Sequence, residues 1–129
     1  MKTLIVEDDF TSRLLLQTFL SKCGECHIAA NGKEAVQAFR LAEERDEQYD
    51  LICMDILMPE MDGHAAVQEI RAIENGRTRQ ASRVTIIMTT GLNDEDNVTR
   101  SAQELCDAYL LKPINTRKLR SHLKSMGLI

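Results

Sequence analysis

The chain has 129 residues, 43% of them hydrophobic and 28% charged, with a formal net charge of −4. That length suits one compact domain with a real core. No apolar run approaches the ~20 residues of a membrane-spanning helix, so membrane insertion is not expected. The basic residues are scattered, whereas direct nucleic-acid binding needs a clustered positive surface, so any gene-regulatory effect would run through a partner.

Taken in chain order, Met1-Lys2 leads straight into the apolar run Leu4–Val6 and then three acids, Glu7-Asp8-Asp9. That start is too short and too acidic for a secretory signal, and a cytoplasmic protein is expected. Leu15, Leu16, Phe19 and Leu20 then recur on one helical face after Thr11. A weaker run, His27–Ala30, precedes Asn31-Gly32, a helix entrance, and Ala35, Val36, Phe39 and Ala42 form a second stripe. Leu51–Met54 is wholly apolar and ends on Asp55. Asp62-Gly63 opens a third helix carrying Ala66, Val67, Ile70 and Ile73, closed by Asn75-Gly76. The polar stretch from Glu74 to Arg83 reads as a solvated basic loop. Val84–Met88 leads to Thr89-Thr90, a fourth helix is expected over about Asp94 to Leu105 on a thin apolar stripe, and Ala108–Leu111 precedes Lys112. Leu119, Leu123 and Met126 mark a last helix starting near Asn115.

This is β-α repeated five times, which calls for a parallel sheet with helices on both faces. The first, third and fourth runs are apolar enough to be covered on both sides, while the second and fifth suit positions nearer a sheet edge. Among the cysteines, Cys23 and Cys26 have C-x-x-C spacing, but no second such pair completes a zinc site. They read as part of a helix end and turn, and Cys53 as a core residue. Asp9 reads as a helix cap or a solvated carboxylate, and His27, His64 and His122 as scattered residues without metal or catalytic roles.

The chemistry collects at the C-terminal ends of the predicted strands. In an open α/β sheet of order 2-1-3-4-5 the order reverses between strands one and three, so Glu7, Asp8 and Asp55 converge there. Two carboxylates about 4 Å apart repel by ~4 kcal/mol at an effective dielectric near 20, so three together require a countercharge. Lys112 supplies one positive charge. A hard divalent ion supplies the rest, and a few carboxylates completed by water and phosphate suit Mg2+. A carboxylate beside that metal is a feasible nucleophile toward phosphorus, with Lys112 and the Thr90 hydroxyl placed for the phosphoryl oxygens.

At these residues the chain resembles the CheY-like response regulator receiver family, over about residues 2 to 125. The matching stretches are Leu4–Asp9, the segment from Met54-Asp55 through Asp62-Gly63, Ile86–Gly91 and Tyr109–Pro113. The resemblance implies a flavodoxin-like (βα)5 doubly wound sandwich, with residues 1–129 forming a single receiver. It implies Asp55 as phosphoacceptor, Asp8 as a direct Mg2+ ligand, Glu7 as a ligand through water and the backbone carbonyl of Leu57 as a further ligand. Lys112 is implied as the phosphate-binding lysine, with a cis bond to Pro113. Family spacing favours Thr90 over Thr89 as the hydroxyl, and Tyr109 matches the aromatic switch. Thr90 would move toward the phosphoryl group as Tyr109 turns inward, altering the face of the fourth helix, fifth strand and last helix.

The partners implied are a sensor histidine kinase or phosphotransfer protein and an unknown downstream protein. The oligomeric state is left between a monomer and a phosphorylation-promoted dimer. A free-standing receiver is expected over one cut from a hybrid kinase, because Met1 lies just before the first strand. Two other classes fare worse. A flavodoxin-like electron carrier would want a hydroxyl- and glycine-rich phosphate loop where three acids stand. A turnover phosphohydrolase would want a second acid close after Asp55, where Ile56-Leu57 follow, so no enzyme beyond self-phosphorylation and slow self-dephosphorylation is expected. Leu57 and Leu92 cannot orient an attacking water, so the phosphorylated form should decay more slowly than in Leu57→Asn; equal decay rates would refute this.

Overall fold

The computed structural model describes residues 1–56, 58, 61–77, 82–91 and 105–129. Five strands, β1 (Lys2–Val6), β2 (Glu25–Ala29), β3 (Leu51–Asp55), β4 (Thr85–Thr90) and β5 (Ala108–Leu111), pair in parallel. Their order is β2-β1-β3-β4-β5, as expected for the flavodoxin-like sandwich. The two weakly apolar runs are indeed the edges, since an edge strand needs fewer apolar side chains. Every residue of β3 is buried, as its central place demands.

Strand alternation sends successive side chains into two separate cores. Leu4, Val6, Ile52, Met54, Ile86 and Met88 face α2 (Gly32–Glu44) and α3 (Gly63–Asn75), meeting Phe39, Val67 and Ile70. Ile5, Leu51, Cys53, Ile87 and Leu110 face the other way. They meet Leu16 and Leu20 of α1 (Phe10–Leu20) and Leu119 and Leu123 of the last helix, α4 (Thr116–Ser125). The helix expected over 94–105 lies outside the described residues except for Leu105.

Each described helix begins on a side-chain cap, which satisfies N–H groups that the first turn cannot pair and is worth about 1 kcal/mol. Asp9 accepts from the Ser12 N–H at 3.0 Å, Asn31 from Glu34 at 2.9 Å, Asp62 from Ala65 at 2.8 Å and Asn115 from Arg117 at 2.9 Å. Asp9 is therefore a cap, and the Ser12 backbone bond holds its carboxyl below the usual value. None of the four cysteines is in a disulfide: Cys23 follows α1, Cys26 lies in β2, and burial pushes the Cys53 thiol up to about 12.

The described residues of the stretch 74–83, which begins inside α3, correct the expectation of a solvated loop. Glu74 is buried, taking a 2.6 Å bond from Arg71 and a 2.7 Å bond from the Val84 N–H. Arg71, also buried, donates to the carbonyls of Leu105 and Val84 and pairs with Asp107 at 3.2 Å. Arg77 reaches Glu43 of α2 at 2.9 Å. These charges clasp the ends of α2 and α3 to the starts of β4 and β5, at the opposite edge of the sheet from Asp55. Residues 78–81 lie outside the described residues.

Candidate functional site

Parallel pairing delivers the C-terminal ends of β1, β3, β4 and β5 to one rim. Glu7 and Asp8 follow β1, Asp55 ends β3, Thr89 and Thr90 end β4, and Lys112 follows β5. One oxygen from each of Glu7, Asp8 and Asp55 lies within 4.8 Å of the others; Glu7 and Asp55 are buried while Asp8 is exposed. The Lys112 ammonium donates to Glu7 Oε1 at 2.9 Å and to Asp55 Oδ2 at 3.2 Å. The expected convergence of these four side chains is therefore present.

The Asp55 main chain is held by two close neighbours. The Ile56 N–H bonds the Thr89 carbonyl at 3.1 Å, and the Gly63 N–H bonds the Ile56 carbonyl at 2.8 Å. Gly63 sits so near that a Cβ there would lie 2.5 Å from the Asp55 carbonyl oxygen. Asp62-Gly63 thus has two structural duties, the cap of α3 and a close packing against the Asp55 backbone.

Thr90 is buried and its hydroxyl donates to the Gly91 carbonyl at 3.3 Å. Strand alternation puts it on the same side as Met88 and Tyr109, facing α2 and α3, while Thr89 faces α1 and α4. The Tyr109 hydroxyl is buried, and its side chain packs against the first core. Burial, with the neighbouring Cys106, raises its phenol above the ordinary value. The Lys112–Pro113 bond is cis. Leu57, expected to offer a carbonyl to the metal, lies outside the described residues, as does Leu92.

Burial pushes the Glu7 carboxyl up to about 7; the bond from Lys112 opposes this and the charge of Asp55 adds to it. Burial works against the Lys112 charge, but Glu7 and Asp55 outweigh it and its pKa is raised. One Glu7 oxygen, Oε2, is buried with no hydrogen-bond partner among the described residues. An orphaned carboxylate oxygen beside two more carboxylates fits a hard divalent cation, which takes oxygen donors.

Residues 3–124 match the response regulator receiver domain. The chain belongs to that family. The receiver is 32% identical to the probable transcriptional regulator ycf27 of Cyanophora paradoxa, spanning 97% of this chain but only 47% of that protein. It thus covers less than half the length of that relative. The receiver domain of the sensor histidine kinase PA1611 from Pseudomonas aeruginosa, solved with a magnesium ion in its active-site cleft, is similar at 30% identity and a TM-score of 0.76. That match covers 98% of this chain and 97% of the other. The receiver domain of Ssk1 from Saccharomyces cerevisiae, solved with the histidine phosphotransfer protein Ypd1, is similar at 31% identity and a TM-score of 0.75, over 93% and 83% of the two chains. Among the described residues no helix is long and apolar enough to cross a membrane.

The raised Glu7 pKa makes the metal-free receiver's stability depend on pH. Between the ordinary value of 4.5 and about 7 the folded state keeps a proton that the unfolded chain has released. The stabilisation is complete below the unfolded value and is lost as pH rises through about 7, by roughly 3 kcal/mol at most. With chelator present, urea unfolding between pH ~5 and ~8 should show this loss in the wild type and not in Glu7→Gln. Matching profiles would show that Glu7 ionises normally.

Proposed function

We propose that this receiver takes a phosphoryl group onto Asp55 from the phosphohistidine of a sensor histidine kinase or phosphotransfer protein, with Mg2+ bound by Asp8 and Asp55 and, through water, by Glu7. The observation that carries this reading is the meeting of three carboxylates and one ammonium from separate strand ends, with a buried carboxylate oxygen left unpaired. The similar PA1611 receiver with its magnesium ion and the similar Ssk1 receiver with Ypd1 support it.

An Asp55 carboxylate oxygen attacks phosphorus, a P–O bond forms, the P–N bond to the donor imidazole breaks, and that imidazole leaves as a neutral ring after taking a proton. Phosphoryl transfer through a loose transition state needs positioning and charge neutralisation more than a strong base. Bound Mg2+ would supply much of that neutralisation at one phosphoryl oxygen. Lys112 holds Asp55 in place before transfer and carries the compensating charge afterwards. Thr90 turns from the Gly91 carbonyl toward the phosphoryl group. Tyr109, on the same side of the sheet as Thr90, follows it and alters the surface of β5 and α4, where Leu111 is exposed, for an unidentified downstream protein. The protein works as a cytoplasmic interaction module with one phosphoryl group per cycle, not as a turnover enzyme.

Incubation with Mg2+ and acetyl phosphate should add one phosphoryl group to the intact mass. Asp55→Asn should add none. Addition persisting in Asp55→Asn, or none in the wild type, would reject the assignment.

A further inference from the structure

Thr89 has no part in the chemistry above, yet it is fully buried and its hydroxyl has no hydrogen-bond partner among the described residues. A buried hydroxyl left unpaired is costly, so it needs an explanation. The register supplies one. Thr89 is paired with Asp55 on one side and Leu110 on the other. Ile5, Cys53, Ile87 and Leu110 all face the core under α1 and α4. Two residues further on, alternation puts Glu7, Asp55, Thr89 and Lys112 on that same side.

Lys112 leaves from the edge strand β5, yet its ammonium bonds Asp55 on β3 and Glu7 on β1. With strands about 4.8 Å apart, its side chain must cross β4 to get there. The β4 residue on that side at the level of Asp55 is Thr89, which pairs with Leu110, two residues before Lys112. Thr89 therefore stands on the strand between those that carry Asp55 and Lys112, on the face that the lysine stem crosses.

We propose that Thr89 is a positioning residue for Lys112, an acceptor onto which the ammonium draws back when a divalent cation takes up the carboxylates. This rests on the reading of Glu7, Asp8 and Asp55 as the metal site. The cation and the ammonium share the Glu7 and Asp55 carboxylates and repel each other. An ammonium retreating along its own stem would be left with unpaired donors unless an acceptor stood there, and the Thr89 oxygen is one that is buried and unpaired. Lys112 then has two held positions, and the second remains close enough to meet an arriving phosphoryl oxygen.

Calorimetric Mg2+ titration tests this without any activity readout. Thr89→Val, which keeps shape and removes the oxygen, should weaken Mg2+ binding about tenfold, the scale of a hydrogen bond to a charged group. Thr89→Ser should bind as the wild type does. Thr3 is the control, being another fully buried threonine with an unpaired hydroxyl, on the same side of the sheet but at the far end of β1. Thr3→Val should leave Mg2+ affinity unchanged. In a Lys112→Met background, Thr89→Val should have no further effect, because the partner is gone. Equal Mg2+ affinity in wild type and Thr89→Val overturns the inference alone, as does an undiminished Thr89→Val effect without Lys112. A wild-type receiver that binds no Mg2+ overturns the site reading and this inference together.

Discussion

Replacing Lys112 with methionine should slow phosphorylation by acetyl phosphate about 10²- to 10³-fold, the usual cost of removing one charge-stabilising donor from a transition state. Methionine keeps much of the apolar stem, so β5 and its contacts with the rim should persist. The same substitution should tighten Mg2+ binding. The ammonium pairs with two of the three cluster carboxylates, Glu7 and Asp55, and without it the cation meets no competing positive charge there. Slower transfer together with stronger metal binding is a combination that mere unfolding cannot produce. Stopped transfer kinetics and calorimetry on the same sample check both halves. An unchanged rate would remove Lys112 from the chemistry, and weakened Mg2+ binding would mean that it supports the metal site rather than competing with it.

Gly63→Ala should be the most damaging single-methyl change near the site. Its Cβ would lie 2.5 Å from the Asp55 carbonyl oxygen, 2.8 Å from the Met88 methyl and 3.0 Å from the Ile56 Cα. The methionine can swing away, but the backbone of β3 cannot without dragging Asp55. The expected cost is about 1–3 kcal/mol, with a lower melting temperature and slower phosphorylation of the molecules that remain folded. Gly76→Ala is the contrast, because among the described residues its Cβ would meet only the Ala72 and Ile73 carbonyl oxygens, at 3.4 and 3.8 Å. That change should fall within ~0.5 kcal/mol of the wild type. Equal melting temperatures for the two variants would show that the loop after β3 yields freely.

Local rules were enough for much of this fold. Asp9, Asn31, Asp62 and Asn115 could be read as helix entrances because a cap involves only a few neighbouring residues. The edge strands declared themselves through weak apolarity, and the rim followed once the strand order was assumed. The Arg71, Glu74 and Asp107 clasp was not legible, since charges beside an apolar helical stripe look the same whether solvated or buried in pairs. Only the i, i+3 spacing of Arg71 and Glu74 hinted at it. Nor was the place of Thr89 legible. Alternation alone turns it away from Thr90, but its position between Asp55 and the strand that leads to Lys112 depends on the register of β4 against both neighbours, which no single strand encodes.

The central claim is that one carboxyl, Asp55, becomes esterified in a Mg2+-dependent way. Borohydride reduction of the phosphorylated receiver, followed by peptide mass mapping, reads this directly, because an acyl phosphate is reduced to an alcohol at the residue that carried it. Homoserine at position 55, present with Mg2+ and absent with chelator, is the predicted result. Homoserine at another aspartate, or a reduction-resistant phosphate on a hydroxyl or ring nitrogen, would contradict it.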